Sequence, residues 1–150
     1  MTDSSAKTPS PLLAKLIVGI HTFIFRASHG RLGKTMAGAP VLLLSVRGRK
    51  SGRLLRLPLI YIKTEAGWAV VASKGGAPAH PAWFLNLQAA GEAQIQIGSD
   101  KTRVKTRILM PDDADYQKIW DDAVKVFPGY LDYKKASRRQ FPIVELLPQQ

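Results

Sequence analysis

The sequence predicts a mainly β (α+β) domain, a small antiparallel barrel of six strands with about three flanking helices. Three observations predict it. Short apolar or alternating runs recur between residues 40 and 108, and most are closed by tight turns rich in glycine. Turns that short force antiparallel pairing, because a parallel crossover needs a dozen or more residues. Apolar spacing of three and four residues is confined to three stretches, which supply the helices.

Residues 1–10 are polar, with Ser, Thr and Pro, and read as a flexible tail. The segment 11–30 reads as an N-terminal amphipathic helix, with helical pattern over 11–28. Leu12, Leu13, Leu16, Ile17, Ile20, Phe23, Ile24 and Ala27 form one stripe, and Lys15, Thr22 and Arg26 fall off it. The stretch lacks a secretory cleavage pattern and is too short and charged to span a bilayer. Two placements fit it: packed on its own domain, or lying on a membrane surface.

The barrel is expected over residues 31–150. Residues 40–46 are a continuous apolar run and read as a buried strand. Residues 53–63 are a second strand, with 48–52 as the hairpin loop between them. A turn at 64–67 leads to a third strand at 68–72. Residues 81–90 read as a helix: Pro81 suits a first helical position, and Trp83, Phe84 and Leu87 share a face. Residues 94–98 and 102–108 alternate, with Ser99-Asp100 as their turn. Residues 112–126 read as a helix with Asp112 and Asp113 at its positive end. Residues 141–147 are the closing strand.

A chain of 150 residues suits one domain. Its 45% hydrophobic and 22% charged residues are ordinary for a globular protein. It has no cysteine, which removes disulfides and thiolate chemistry and fits a reducing, cytoplasmic setting. The charge is unusual: +11 overall. Residues 1–110 hold 16 Lys and Arg against 4 Asp and Glu, whereas residues 111–150 hold 6 against 7. Such a field concentrates anionic ligands, so the partners it suits are nucleic acid, an anionic membrane surface or a polyanionic cofactor.

Two loops stand inside the basic part. One is Gly48-Arg49-Lys50-Ser51-Gly52; the other is Ser73-Lys74-Gly75-Gly76, running into Pro78-Ala79-His80-Pro81-Ala82-Trp83. Each sets cations beside a glycine-permitted turn, where exposed amides make a concave anion site. Their plain alternative is a pair of solvated turns. Tyr130 and Tyr133 follow Phe127-Pro128-Gly129, which is expected to end the preceding helix and leave both rings in an irregular segment. They read either as packing aromatics or as a lid over a planar ligand, with a phenol donating to a substrate oxygen.

The usual equipment for hydrolysis is missing. His21, His29 and His80 lack ligand spacing, so no metal site is expected. There is no Gly-x-Ser-x-Gly, Walker or dinucleotide-binding glycine pattern. An enzyme of this composition needs a bound cofactor to bring the reactive atom.

The residues resemble the deazaflavin-dependent nitroreductase family, small split β-barrel proteins that bind reduced coenzyme F-420. The resemblance is carried by 41–44, 48–52, Pro58-Leu59, Tyr61, 72–76, 81–83, 85–87, Pro128-Gly129-Tyr130, Asp132-Tyr133 and 142–144, in order and spacing from about residue 30 to 148. It implies a six-stranded antiparallel split β-barrel. It also implies that Arg49, Lys50 and Ser51 hold the phosphate or acidic tail of the coenzyme. Ser73 and Lys74 would sit beside the deazaflavin ring and its linker, and Ala82 and Trp83 near the coenzyme at the helix start. Gly52, Pro58, Ala72 and Asn86 complete the implied coenzyme contacts. Tyr130 and Tyr133 match substrate-side positions and, with Ser73, form the implied catalytic set. Two positions depart from the family pattern: Leu55 stands where many members have arginine, and Phe127 where tyrosine is frequent.

The expected function is therefore hydride transfer from reduced coenzyme F-420 to a quinone, enone or nitroaromatic acceptor. Two rival readings stay open: a carrier of coenzyme F-420 or of a lipid without turnover, and a flavin mononucleotide (FMN) protein on the same fold. A nucleic-acid barrel lacks the aromatics interleaved with Lys and Arg that strand-binding surfaces carry. The expected location is cytoplasmic, with peripheral contact at the inner face of the cell membrane as an addition.

Overall fold

The computed structural model describes residues 12, 35–36 and 38–149. The expected tail at 1–10 lies outside the described residues, as does all of the expected helix at 11–28 except Leu12.

Eight strands make one antiparallel sheet: β1 Thr35–Met36, β2 Ala39–Arg47, β3 Leu54–Ile60, β4 Ile62–Lys63, β5 Trp68–Val71, β6 Glu92–Ile97, β7 Asp100–Leu109 and β8 Ile143–Pro148. The order is β1-β2-β6-β7-β8-β5-β4, with β3 also paired to β2. The six expected strands are all present. β1 and β4 are two-residue additions, and β4 arises because the expected strand at 53–63 breaks at Tyr61. There the chain leaves β3, and the Tyr61 amide donates to Pro40 O at 3.2 Å. β3 and β4 are thus one stretch of chain joining the two ends of the sheet, which curls it into a half-barrel.

The burial of each strand explains its sequence. In β2, Leu42, Leu44 and Val46 face the barrel interior with Val70, Ala72, Ile95, Val104, Val144 and Leu146. Phe84 and Leu87 of helix α1, Ala82–Ala90, close this core. β7 alternates because one of its faces meets water. A second core forms where α2, Tyr116–Val126, and α3, Gly129–Ala136, cover the other side of β5 and β8. It gathers Ile62, Val71, Leu109, Tyr116, Ile119, Tyr130, Phe141 and Ile143.

Two helix expectations are corrected. The helix expected from residue 112 begins at Tyr116. The aspartates before it turn the chain instead: Asp113 Oδ1 accepts from the Asp115 amide at 3.1 Å, the local competition that keeps Asp out of helix interiors. The segment after Phe127 is the helix α3, not irregular chain. Pro128 has φ −59°, already helical, so it opens a helix where it was expected only to end one. Pro81 likewise stands one residue before α1.

Opposite Arg107 on β7 stands Glu145 on β8. Glu145 is buried, and Arg107 donates to its Oε2 through Nε and Nη2 at 3.0 and 2.7 Å. Thr64 Oγ1 donates to the other oxygen at 3.0 Å, and Arg107 also reaches Asp115 at 2.9 Å. This network ties β7, β8, the 64–67 turn and the start of α2.

Candidate functional site

The β2–β3 turn is built by its glycines. Gly52 has φ +70°, a value that favours glycine, and its amide donates to Gly48 O at 2.9 Å. The Gly48 amide donates to Arg53 O at 2.8 Å. Ser51 Oγ accepts from the Arg53 amide at 3.2 Å, so this hydroxyl serves the turn itself. Arg49 does not point freely outward. Its amide and its Nη1 both donate to Oδ1 of buried Asn86, at 3.0 and 2.8 Å. Lys50 is exposed.

The second turn, Lys74–Gly76, is a single 3-10 turn with three successive positive φ values: +47° at Lys74, +62° at Gly75 and +83° at Gly76. An added Cβ at Gly75 would meet nothing within 4 Å, whereas one at Gly76 would fall 2.8 Å from Tyr133 O. The turn is therefore open on one side and seated on α3 on the other. Ala72 and Ser73, just before it, are buried. The Ser73 hydroxyl has no hydrogen-bond partner among the described residues, although the residue is buried. Helix α1 begins six residues after Gly76 and carries Asn86 one turn inside its start. It therefore runs from the second turn to the first. Ala82 is exposed and Trp83 half-buried, with its ring edge-on to Phe84 at 6.5 Å.

The aromatic pair lies on α3. Tyr130 is 4% exposed and packs in the second core, with its ring 4.9 Å from Phe127 and 6.2 Å from Trp120. Burial first, then its neighbour Tyr133, raises its pKa well above the ordinary tyrosine value, so it stays a proton-bearing phenol. Tyr133 is half-buried, 6.3 Å from Tyr130, and its backbone meets Gly76.

The structure thus brings Arg49 to Asn86 and the Ser73–Gly76 segment to Tyr133. Pro58 is buried in β3 opposite Leu43, where its missing amide hydrogen costs the sheet little at an outer strand. Ala72 donates its amide to Pro142 O at 2.9 Å and supports the second turn from below. A surface lid at Tyr130 is not what the structure shows; Tyr133 is the more exposed ring. Sequence reasoning missed Arg139, which binds four carbonyls and the His80 ring. Its only sequence signal is one basic residue of a pair, Arg138-Arg139, and nothing marks a cation that turns inward. Three cavities lined by described residues, of about 300, 560 and 340 Å³, lie beside Glu145, Trp68 and Arg103 respectively, and neither turn lines them.

A curled antiparallel half-barrel with helices packed on it defines the class, a split β-barrel. Residues 17–148 match the F420H(2)-dependent quinone reductase family. The chain is 32% identical over 132 residues to an F420H(2)-dependent quinone reductase of Mycobacterium tuberculosis, covering 87% of this chain and 89% of that protein. Its structure resembles that of an F420-H2 dependent reductase, with TM-score 0.62 and 32% identity over 71% of this chain and 94% of the other. It also resembles a domain-swapped dimer, with TM-score 0.67 and 25% identity over 93% and 99% of the two chains. This chain belongs to the F420H(2)-dependent quinone reductase family and is an F420H(2)-dependent oxidoreductase. Fold, coenzyme and enzyme class agree with what the sequence resemblance implied.

Proposed function

We propose that the protein uses reduced coenzyme F-420 to reduce a quinone, with the two turns and α3 forming the coenzyme site. One observation carries the reading: the exposed cation Lys74 stands in an open glycine turn seated against the half-buried Tyr133, and helix α1 links that turn to the basic β2–β3 turn through Asn86 and Arg49. Among the described residues none of Arg49, Lys50, Arg53, Arg56 and Lys74 forms an ion pair. The coenzyme has a phosphodiester, an acidic tail and a planar ring, and these donors fit it. Cations without an ion pair among the described residues suit the tail, the open side of Gly75 admits a close backbone approach, and the Ser73 hydroxyl suits a polar ring edge.

When bound, the coenzyme supplies a two-electron hydride donor. The protein's part is to bind, orient and exclude water. Lys50 and Lys74 attract the anionic groups, while Arg49 fastens the first turn to α1 and lends its charge. Gly52, Ala72 and Asn86 shape the two turns, and Pro58 stands in β3 opposite Leu43. Ala82 and Trp83 border the site at the start of α1, and Tyr133 offers an aromatic face to the acceptor. Tyr130, beneath it, holds a proton that its hydroxyl donates toward the acceptor oxygen. Enones and nitroaromatics share the quinone's electron-poor character and extend the acceptor class.

Fluorescence titration with F-420 and with FMN tests the coenzyme site. Tight binding of F-420 and weak binding of FMN is the expected result; the reverse order makes this an FMN protein and sinks the proposal. A second reading, peripheral contact with an anionic membrane, is favoured by the outer sheet face. Arg47, Arg56, Lys101, Arg103 and Lys105 share it and are exposed, with Glu92 as its acid. Sedimentation with anionic vesicles checks it. Among the described residues no helix is long and apolar enough to cross a membrane.

A further inference from the structure

We propose that Arg139 is a positioning residue: its guanidinium clamps the 73–77 turn from behind so that Lys74 and the open side of Gly75 face the coenzyme. This rests on the coenzyme site proposed above. The clamp itself is visible in the geometry. Nη2 donates to Ser73 O at 2.8 Å, Nη1 to Ala72 O at 3.0 Å and Nε to Ala77 O at 3.1 Å. Nη1 also lies 3.3 Å from Gln140 O and 2.9 Å from His80 Nδ1. The guanidinium carbon stands 4.8 Å from the centre of the Phe141 ring, which fixes its plane.

The turn needs such a clamp. Gly75 and Gly76 take positive φ freely, but Lys74 at φ +47° holds a conformation that a non-glycine residue keeps only where the surroundings over-determine it. Within the turn the described backbone bonds are two, Gly76 to Ser73 O at 2.9 Å and Ala77 to Lys74 O at 3.1 Å. The carbonyls of residues 72, 73 and 77 are drawn toward Arg139, which leaves the opposite side of the turn clear. Ser73 O serves both the Gly76 amide and Arg139, so the clamp and the turn share an acceptor. Arginine has no acceptor and five donors in a fixed fork, so His80 Nδ1 must accept, and the imidazole carries its proton on Nε2. Lysine offers a point charge without that fork and does not replace it.

The test is hydrogen exchange on the coenzyme-free Arg139→Lys variant, followed by F-420 titration. Exchange at the Gly76 and Ala77 amides rises at least tenfold, while Gly48 and Gly52 of the first turn keep wild-type rates. The dissociation constant for F-420 then rises at least tenfold, and in turnover the coenzyme KM rises more than kcat falls. Unchanged exchange at Gly76 and Ala77 overturns the clamp. So does an equal rise in the first turn, which makes Arg139 a general structural residue, and so does fast exchange with unchanged affinity. If Arg139→Lys does not fold, His80→Ala removes one acceptor of the guanidinium and reads the same two amides, with at least a threefold rise expected and no rise contradicting the clamp. Wild-type protein that fails to bind F-420 overturns the functional reading, and the coenzyme-facing purpose of the clamp with it; the exchange rates still judge the clamp on their own.

Discussion

Arg49 ends twice on one atom of Asn86: its backbone amide and its guanidinium both donate to Oδ1, at 3.0 and 2.8 Å, across 37 residues of sequence. One buried amide side chain therefore sets where the first basic turn sits relative to α1. Asn86→Ala removes the acceptor and leaves the Arg49 amide without it. The expected loss of stability is about 1–3 kcal/mol, and F-420 affinity falls as the turn drifts from α1. Thermal melts and titration check both; a variant with wild-type affinity means the turn does not contribute to the site.

Arg107 is the larger structural test. Among the described residues, Arg107→Ala leaves buried Glu145 with Thr64 as its one side-chain partner. The arginine is itself 44% exposed, so solvent softens the loss, which is expected at about 2 kcal/mol in denaturant unfolding. Arg107→Ala with wild-type stability would show that the pair contributes nothing.

Three groups set the pH range of stability: Tyr116 and Tyr130, both raised by burial, on the alkaline side, and His80 on the acid side. Tyr116 donates its hydroxyl to Phe141 O at 2.6 Å, and burial pushes its pKa up to about 12 from 10.0. Its folded pKa is raised, so its contribution is complete below pH 10 and is lost as pH rises from 10 through 12. The size is on the order of 2 kcal/mol. His80 goes the other way: burial first, then Arg139, lowers its pKa below 6.5. The charged and aromatic groups facing it are Arg139 and Phe84. The fold holds it neutral, so its contribution is present above 6.5 and is lost as pH falls through its lowered pKa. Unfolding free energies measured across pH show both flanks, and Tyr116→Phe makes the alkaline one shallower, leaving the part that Tyr130 contributes. An alkaline flank unchanged in that variant contradicts the assignment.

Tyr130→Phe separates packing from chemistry. The ring stays in the second core and only the hydroxyl is lost, so stability changes by about 1 kcal/mol or less. Quinone turnover falls on the order of tenfold if the hydroxyl donates in the transition state, while F-420 affinity stays near wild type. Wild-type turnover assigns Tyr130 to the core alone.

The strands were legible in the sequence because their signal is local. The run at 41–44 is apolar on every residue, since β2 is covered on both faces, and residues 102–108 alternate because one face of β7 meets water. The two turns were legible because glycine at positive φ leaves a mark that no contact can hide. What failed were signals that depend on the rest of the chain. Pro128-Gly129 reads equally as a helix end or a helix start, and only the packing of Tyr130 against Phe127 and Trp120 decides for α3. Asp112 and Asp113 look like helix-starting acids, yet the Asp113 side chain takes the Asp115 amide for a turn instead. The roles of Arg139 and of Asn86 toward Arg49 rest on pairs 37 to 67 residues apart, and no local pattern encodes them.

The central claim is hydride transfer from the bound coenzyme to a quinone. Stopped-flow mixing of the protein with reduced F-420 and menadione, followed by the absorbance of oxidised F-420, tests it most directly. The account predicts rapid oxidation that needs both protein and quinone, and that slows in Lys50→Ala at sub-saturating coenzyme. Protein that binds reduced F-420 and never oxidises it with any quinone, enone or nitroaromatic would contradict the account and leave a coenzyme carrier in its place.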